Sequence, residues 1–365
     1  MSQLHDLHAA GQSVWFDFIR RDMISSGELA GLIADGIRGV TSNPSIFQNA
    51  IDTSDQYDDQ IRRIVASNPT ATVDEIFEEL AVTDIQGAAD ILRPVYDESD
   101  GADGYVSLEV SPLLAADTAG TIEAAKRLWR KVDRSNLMVK VPATREGIPA
   151  IEELIAVGIN INVTLLFALA AYEDAAHAYI RGLARAADPG SISSVASFFV
   201  SRVDSNADGV LDKIGTPEAL DLRGKVAVAN AKLAYRTYRA IFEGPAFAAA
   251  LARGARAQRC LWASTSTKNP AYSDVLYVDT LIGPNTVNTL PPATVNSFID
   301  HGTVDGAALG RDAAAAEATL QAFRAVGGDI EAVTDELLED GVKKFADSYV
   351  DMLDTLRHKI EIITG

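Results

Sequence analysis

The chain has 365 residues, 47% of them hydrophobic and 23% charged, proportions of a folded protein with a sizeable core that exclude disorder over most of its length. Its 32 Lys and Arg stand against 51 Asp and Glu, a formal net charge of −19, and no basic run offsets that balance, so nucleic acid is excluded as a partner by repulsion. The one cysteine, Cys260 in the apolar stretch RCLWAS, cannot close an internal disulfide, no run approaches the roughly 18 apolar residues of a membrane span, and MSQLHDLHAAGQS lacks an export signal's basic start and apolar core. A cytoplasmic protein with no membrane partner is expected.

Eight short runs rich in β-branched residues predict strands, each followed by a polar or Gly/Pro break and then a stretch of helical periodicity. The first is SVWFDF from Ser13, followed by the amphipathic GELAGLIADG; the second is RGVTSNP from Arg38. A long connection from Gln48 to Asp103 carries helical patterns such as VDEIFEELAVTDIQGAADILRPVYDES. YVSLEV from Tyr105 precedes the helix TIEAAKRLWRKVD, NLMVKVPAT from Asn136 precedes IPAIEELIAVG, and INVTLLF from Ile161 precedes AAYEDAAHAYIRGLARAA. After SVASFFV from Ser194 a second long connection, Ser201 to Ala257, includes the helix LRGKVAVANAKLAYRTYRAIFEG. RCLWAST from Arg259 and VLYVDT from Val275 complete the series, and the tail from Gly306 is helical. This alternation over about 280 residues predicts a (β/α)8 barrel, one domain over 1–365, with helical additions at about 48–103 and 201–257 and a helical tail at about 306–365. An open doubly wound sheet uses the same units, but neither G-x-G-x-x-G nor a P-loop pattern occurs, which favours the barrel.

Lys140 is the sharpest chemical signal. It stands inside an apolar strand, flanked by Met138, Val139 and Val141, where an ammonium is costly to bury. Desolvation there would lower its pKa and raise its share of free amine, which can condense with a carbonyl to form a Schiff base, an electron sink that lets a neighbouring C–C bond break. The structural alternative is a lysine snorkelling from a strand end or paired with a core carboxylate. Residues at the C-terminal ends of barrel strands share one pocket, and polar groups recur there: Asp17 on the first run, Asn43 on the second, Glu109 on the third, Asn162 and Thr164 on the fifth, Ser197 and Arg202 on the sixth. Each alone has a structural explanation: Asn43 a turn residue, Asp17 an N-cap, Glu109 a salt-bridge partner, Asn162 and Thr164 hydrogen-bonders at a strand end. Together they supply what imine chemistry needs. Glu109 and Asp17 can move protons, and the amides and hydroxyls of Asn43, Asn162, Thr164 and Ser197 can orient a polyhydroxylated chain and hold a water. Arg202 and Lys268, the latter in ASTSTKNP, add two cations close enough to overcome the long-range repulsion of a small phosphate.

The segments GVTSNPSIF, SLEVSP, NLMVKVPAT, GININVTLLF, VASFFVSRVD and LWASTSTKNP resemble those of the transaldolases, class I enzymes of the non-oxidative pentose phosphate pathway, and of their longer bacterial subgroup. The resemblance spans Val14 to about Leu290. It implies a barrel whose fourth strand carries the Schiff-base lysine, Lys140, with Glu109 as acid/base through a water held with Thr164, and Asp17 taking the proton during bond cleavage. It further implies that Asn43 and Asn162 position a dihydroxyacetone unit, that Ser197 lines the pocket, and that Arg202 binds phosphate with Ser264 and Lys268. Compact family members carry arginine where Lys268 stands, so the forked grip is replaced by a point charge. The implied reaction moves dihydroxyacetone from sedoheptulose 7-phosphate to glyceraldehyde 3-phosphate, giving erythrose 4-phosphate and fructose 6-phosphate, with no metal or organic cofactor. The expected partners are sugar phosphates, the chain acting as a monomer or homodimer.

Competing readings are a fructose 6-phosphate aldolase, a non-catalytic sugar-phosphate-binding barrel and a metal-dependent barrel enzyme. The histidines, His5, His8, His177, His301 and His358, show no metal-ligand spacing, and Cys260 reads as core. DSNADGVLDKIG from Asp204 mimics a calcium loop, but its twelfth position is Gly215 rather than glutamate, and a helix-capping turn is expected there.

Overall fold

A computed structural model describes residues 2–311 and 313–364. Eight parallel strands close into a barrel in chain order: β1 (Gln12–Phe16), β2 (Ile37–Val40), β3 (Tyr105–Glu109), β4 (Leu137–Pro142), β5 (Ile161–Leu166), β6 (Ser194–Phe199), β7 (Arg259–Ala263) and β8 (Thr286–Leu290). The (β/α)8 barrel with extra helices is therefore the fold. β4, β5, β6 and β8 are buried along their whole length, as expected of strands with side chains inside the barrel on one face and helices on the other. Seven predicted runs coincide with β1 to β7. The eighth does not: VLYVDT contains the short helix Leu276–Asp279, with Tyr277 and Val278 buried, and the strand is TVNTL farther on. A short apolar run does not distinguish a strand from a buried helical turn, and both segments are apolar and β-branched.

Register sets which side chains meet. Glu109 pairs with Lys140 across β3 and β4, Lys140 with Asn162 across β4 and β5, and Pro142 with Thr164 one step higher. The β5–β6 ladder shifts register between Val163 and Leu166, and inside that bulge Leu165 has φ +58°, a left-handed conformation costly for a branched side chain. Thr164 lies within the same shifted stretch. At the opposite, N-terminal mouth, Asp103 accepts hydrogen bonds from Ser13 Oγ (2.6 Å) and Trp15 Nε1 (3.4 Å) and pairs with Arg259 (3.1 Å), joining the loop before β3 to β1 and β7.

A second apolar cluster lies outside the barrel. The helices Pro44–Asp52, Asp58–Ser67 and Val73–Glu98 contribute Ile51, Ile61, Ile76 and Leu80, and the long last helix, Ile330–Thr364, contributes Tyr349, Met352, Leu353 and Leu356. The Val73–Glu98 helix starts with a capping box between Thr72 and Glu75. In the second long connection, Asp204 and Asp208 do not form a turn as expected; they lie inside the helix Ser201–Ile214 and brace its neighbours. Asp204 accepts from Ala227 N (2.7 Å), at the start of the helix Val226–Phe242, and from Tyr277 Oη (2.8 Å), while Asp208 accepts from Gly224 N and Tyr272 Oη. The local sequence showed carboxylates in want of donors; the donors came from other elements. Gly215 ends that helix at φ +70°, where glycine carries no Cβ penalty.

Candidate active site

At the C-terminal ends of the strands a cavity of about 230 Å³ is lined by Asp17, Asn43, Lys140, Thr164, Ser197, Arg202, Ser264 and Lys268, eight of the ten residues singled out from sequence. Chain positions far apart meet there because every barrel strand ends at the same face. Lys140 is 6% exposed, and its Nζ donates to the carbonyl oxygen of Ser42 (3.1 Å). Glu109 Oε2 lies 3.5 Å from that nitrogen. Burial raises the proton affinity of the Glu109 carboxyl and the nearby Lys140 opposes the rise. Asp17 follows the same logic: desolvation raises its pKa against the pull of Lys140, Lys268 and Arg202. Both carboxyls can thus hold a proton above the ordinary carboxylate range.

Two predicted residues are placed differently from the rest. Asn162 is 1% exposed; its Nδ2 donates to Ser107 Oγ (3.0 Å) and its Oδ1 accepts from Ser197 Oγ (2.7 Å), a chain that braces β3, β5 and β6 beneath the cavity. Glu109 lines a separate cavity of about 400 Å³ with Ser111 and Tyr349, while its Oε2 faces Lys140. Glu109 Oε2 and Thr164 Oγ1 are both buried without a hydrogen-bond partner among the described residues, which is uncommon for buried polar atoms. Asn43 combines two roles weighed separately: its Oδ1 caps the Pro44–Asp52 helix through Ile46 N (3.0 Å), and it also lines the cavity. Asp17 is no N-cap, since the next helix starts at Arg21 with Arg20 as cap.

The far end of the cavity suits an anion. Arg202 lies in the first turn of the helix Ser201–Ile214, whose dipole favours negative charge although the N–H groups of Ser201 and Val203 already donate to the carbonyl oxygens of Ser264 and Val200, and its Nη1 is buried without a partner among the described residues. Its guanidinium lies 5.1 Å from the Phe199 ring centroid and 5.8 Å from that of Phe345, and burial lowers its pKa. Ser264 takes a left-handed backbone, φ +55°, and its Oγ meets that of Ser201 at 2.9 Å, beside the helix start. Lys268 is exposed and donates to Ser266 Oγ (2.6 Å). Among the described residues no three His, Cys, Asp or Glu side chains are grouped to hold a metal ion, and no helix is long and apolar enough to cross a membrane.

Sequence reasoning missed Thr41, Phe199, Thr265, Thr289 and Phe345, which also line the cavity. Thr289 was lost with the misplaced eighth strand, and the β-branched TVNTL after Pro284-Asn285 was the signal for it. Phe345 lies in the tail helix, where nothing in the local pattern points at a barrel mouth.

The transaldolase/fructose-6-phosphate aldolase family model matches residues 14–356, reaching beyond Leu290 into the last helix. A transaldolase of Thiobacillus denitrificans is 50% identical over 97% of this chain and 99% of its own length. One from a Parafrankia species is 48% identical over 98% of each chain, and one from Trichodesmium erythraeum is 46% identical over 100% of this chain and 99% of its own. Matched across nearly its whole length, with its strand-end lysine beside a carboxylate in a closed barrel, the chain belongs to the transaldolase/fructose-6-phosphate aldolase family.

Proposed function

We propose that this protein is a transaldolase that carries a dihydroxyacetone unit from sedoheptulose 7-phosphate to glyceraldehyde 3-phosphate on Lys140. One observation carries the reading: a lysine 6% exposed, at the floor of a polar cavity, 3.5 Å from a carboxyl that burial inclines to hold a proton. The amine of Lys140 adds to the ketose carbonyl. Glu109 protonates the departing hydroxyl, leaving a protonated imine, and Asp17 takes the proton of the C4 hydroxyl as the C3–C4 bond breaks. Erythrose 4-phosphate leaves, the retained enamine adds to the aldehyde of glyceraldehyde 3-phosphate, and hydrolysis of the new imine frees fructose 6-phosphate. Arg202, Ser264 and Lys268 hold the phosphate, while Asn43, Thr164 and Ser197 bond the sugar hydroxyls. Asn162, with both amide atoms engaged by Ser107 and Ser197, acts as the brace that keeps Ser197 in place. The proposed setting is the cytoplasm, which fits a single buried cysteine.

Borohydride reduction in the presence of fructose 6-phosphate, followed by peptide mass mapping, tests the reading. A reduced three-carbon adduct on Lys140 is expected; an adduct on another lysine, or none, would overturn it.

A further inference from the structure

The last helix crosses the mouth of the barrel and sets one ring over the reacting amine. The centroid of Phe345 is 6.0 Å from Lys140 Nζ and 5.8 Å from the Arg202 guanidinium carbon. The same ring lines both the inner cavity of about 230 Å³ and an outer one of about 540 Å³, whose other walls include Asn49, Lys344, Asp347 and Asp351. Asp17, Asn43 and Arg202 line both cavities as well, and Phe345 is the apolar member of this shared boundary between the Lys140 floor and a polar vestibule.

Phe345 is held on both sides. One turn before it, Gly341 packs so closely on β5 that an added Cβ would lie 3.2 Å from Leu165 Cδ2, the bulge residue next to Thr164. Beyond it, Tyr349, Met352, Leu353 and Leu356 are buried in the second apolar cluster, and Lys359 donates to the carbonyl oxygens of Ile51 (2.9 Å) and Ser54 and pairs with Asp58 (3.1 Å). The added helices therefore carry the roof of the site.

Transfer demands such a roof. After the C3–C4 bond breaks, C3 of the enamine is nucleophilic. If water delivers a proton to C3 before an aldehyde arrives, the protonated imine re-forms, water adds at C2, the C2–N bond breaks, and free dihydroxyacetone leaves with Lys140 restored as amine. A phenyl ring offers neither a proton nor a hydrogen bond with which to order water. We propose that Phe345 is a specificity-determining residue, which by excluding water from the enamine sets the partition between transfer to an aldehyde and release of free triose. This rests on Lys140 as the Schiff-base residue.

The test supplies fructose 6-phosphate and erythrose 4-phosphate to the full-length protein and to Phe345→Ala, and measures free dihydroxyacetone per sedoheptulose 7-phosphate formed. The ratio should rise on the order of tenfold in Phe345→Ala, about 1.4 kcal/mol of relative barrier. Phe345→Leu, which keeps an apolar roof, should stay near the parent, and Gly341→Leu, which lifts the helix from Leu165, should raise the ratio even if Phe345→Ala does not fold. Each variant is also trapped with borohydride. An adduct on Lys140 with an unmoved ratio would overturn the inference, as would a change confined to KM, which would mean that the ring acts only by stacking on Arg202. Failure to trap any adduct on Lys140 in the parent would instead remove the underlying mechanism.

Discussion

Replacing Arg202 by alanine isolates the end of the site to which we assign the phosphate. Nη1 is buried without a partner among the described residues, the guanidinium is flanked by Phe199 and Phe345, and the adjacent helix start adds its own positive field. A hydrogen bond to a charged group formed in such a place is worth about 1.5–3 kcal/mol, so Arg202→Ala should raise KM for phosphorylated donors by roughly ten- to a hundredfold. Removing the cation also strengthens proton binding by Asp17, which Arg202 opposes. That second effect concerns chemistry rather than binding, and it acts alike on donors with and without phosphate. The assay therefore compares kcat/KM for fructose 6-phosphate and for fructose in parent, Arg202→Ala and Arg202→Lys. The phosphate preference should collapse in the alanine variant and survive in part in the lysine variant, which keeps charge and loses the fork. An equal loss on both sugars would refute the assignment of Arg202 to the phosphate.

Lys140→Ala should abolish turnover while leaving the melting temperature close to the parent's, because Glu109, already inclined to hold a proton, can go neutral once its partner is gone; substantial residual activity would contradict the imine route. Asp204 has a pKa of about 6 against an ordinary 3.8, chiefly through burial, so its ionisation favours the unfolded chain and its contribution to stability is lost as pH rises through that window. Urea titrations should therefore show the parent losing on the order of 2–3 kcal/mol relative to Asp204→Asn between about pH 4 and pH 7, and parallel curves would exclude the effect. Asp103→Ala takes the carboxylate from Arg259, Ser13 and Trp15 at the N-terminal mouth, while Arg259 keeps the carbonyl oxygens of Ala102 and Thr286 and the Ser13 hydroxyl, so a loss of about 1–3 kcal/mol in unfolding is expected, with an unchanged kcat at low temperature because the Lys140 cavity lies at the opposite face.

The strand ends could be read from sequence because a polar side chain in an otherwise apolar run has few reasons to be there, and seven of the runs kept their place. Lys140 and Thr164 stood out for that reason. Finer distinctions depended on contacts between distant elements. Asn162 and Ser197 look equally available in sequence, yet Ser197 lines the cavity while Asn162 is tied on both amide atoms. Glu109 faces Lys140 from a neighbouring compartment, an arrangement fixed by register and by the packing of Tyr349 rather than by any local pattern. VLYVDT was misread because burial alone favours branched apolar residues in either secondary structure. Phe345 had no signal at all: an aromatic at helical spacing is ordinary core material until tertiary packing shows what lies under it.

The apolar cluster joining Tyr57, Ile61 and Leu80 to the final helix implies that the site has two thermal thresholds. The eight-stranded cylinder is closed by its own ladders, whereas the ring above Lys140 depends on a peripheral layer whose hold is largely hydrophobic. On warming, the periphery can loosen first, so leakage of unattached triose would begin while circular dichroism still reports an intact barrel.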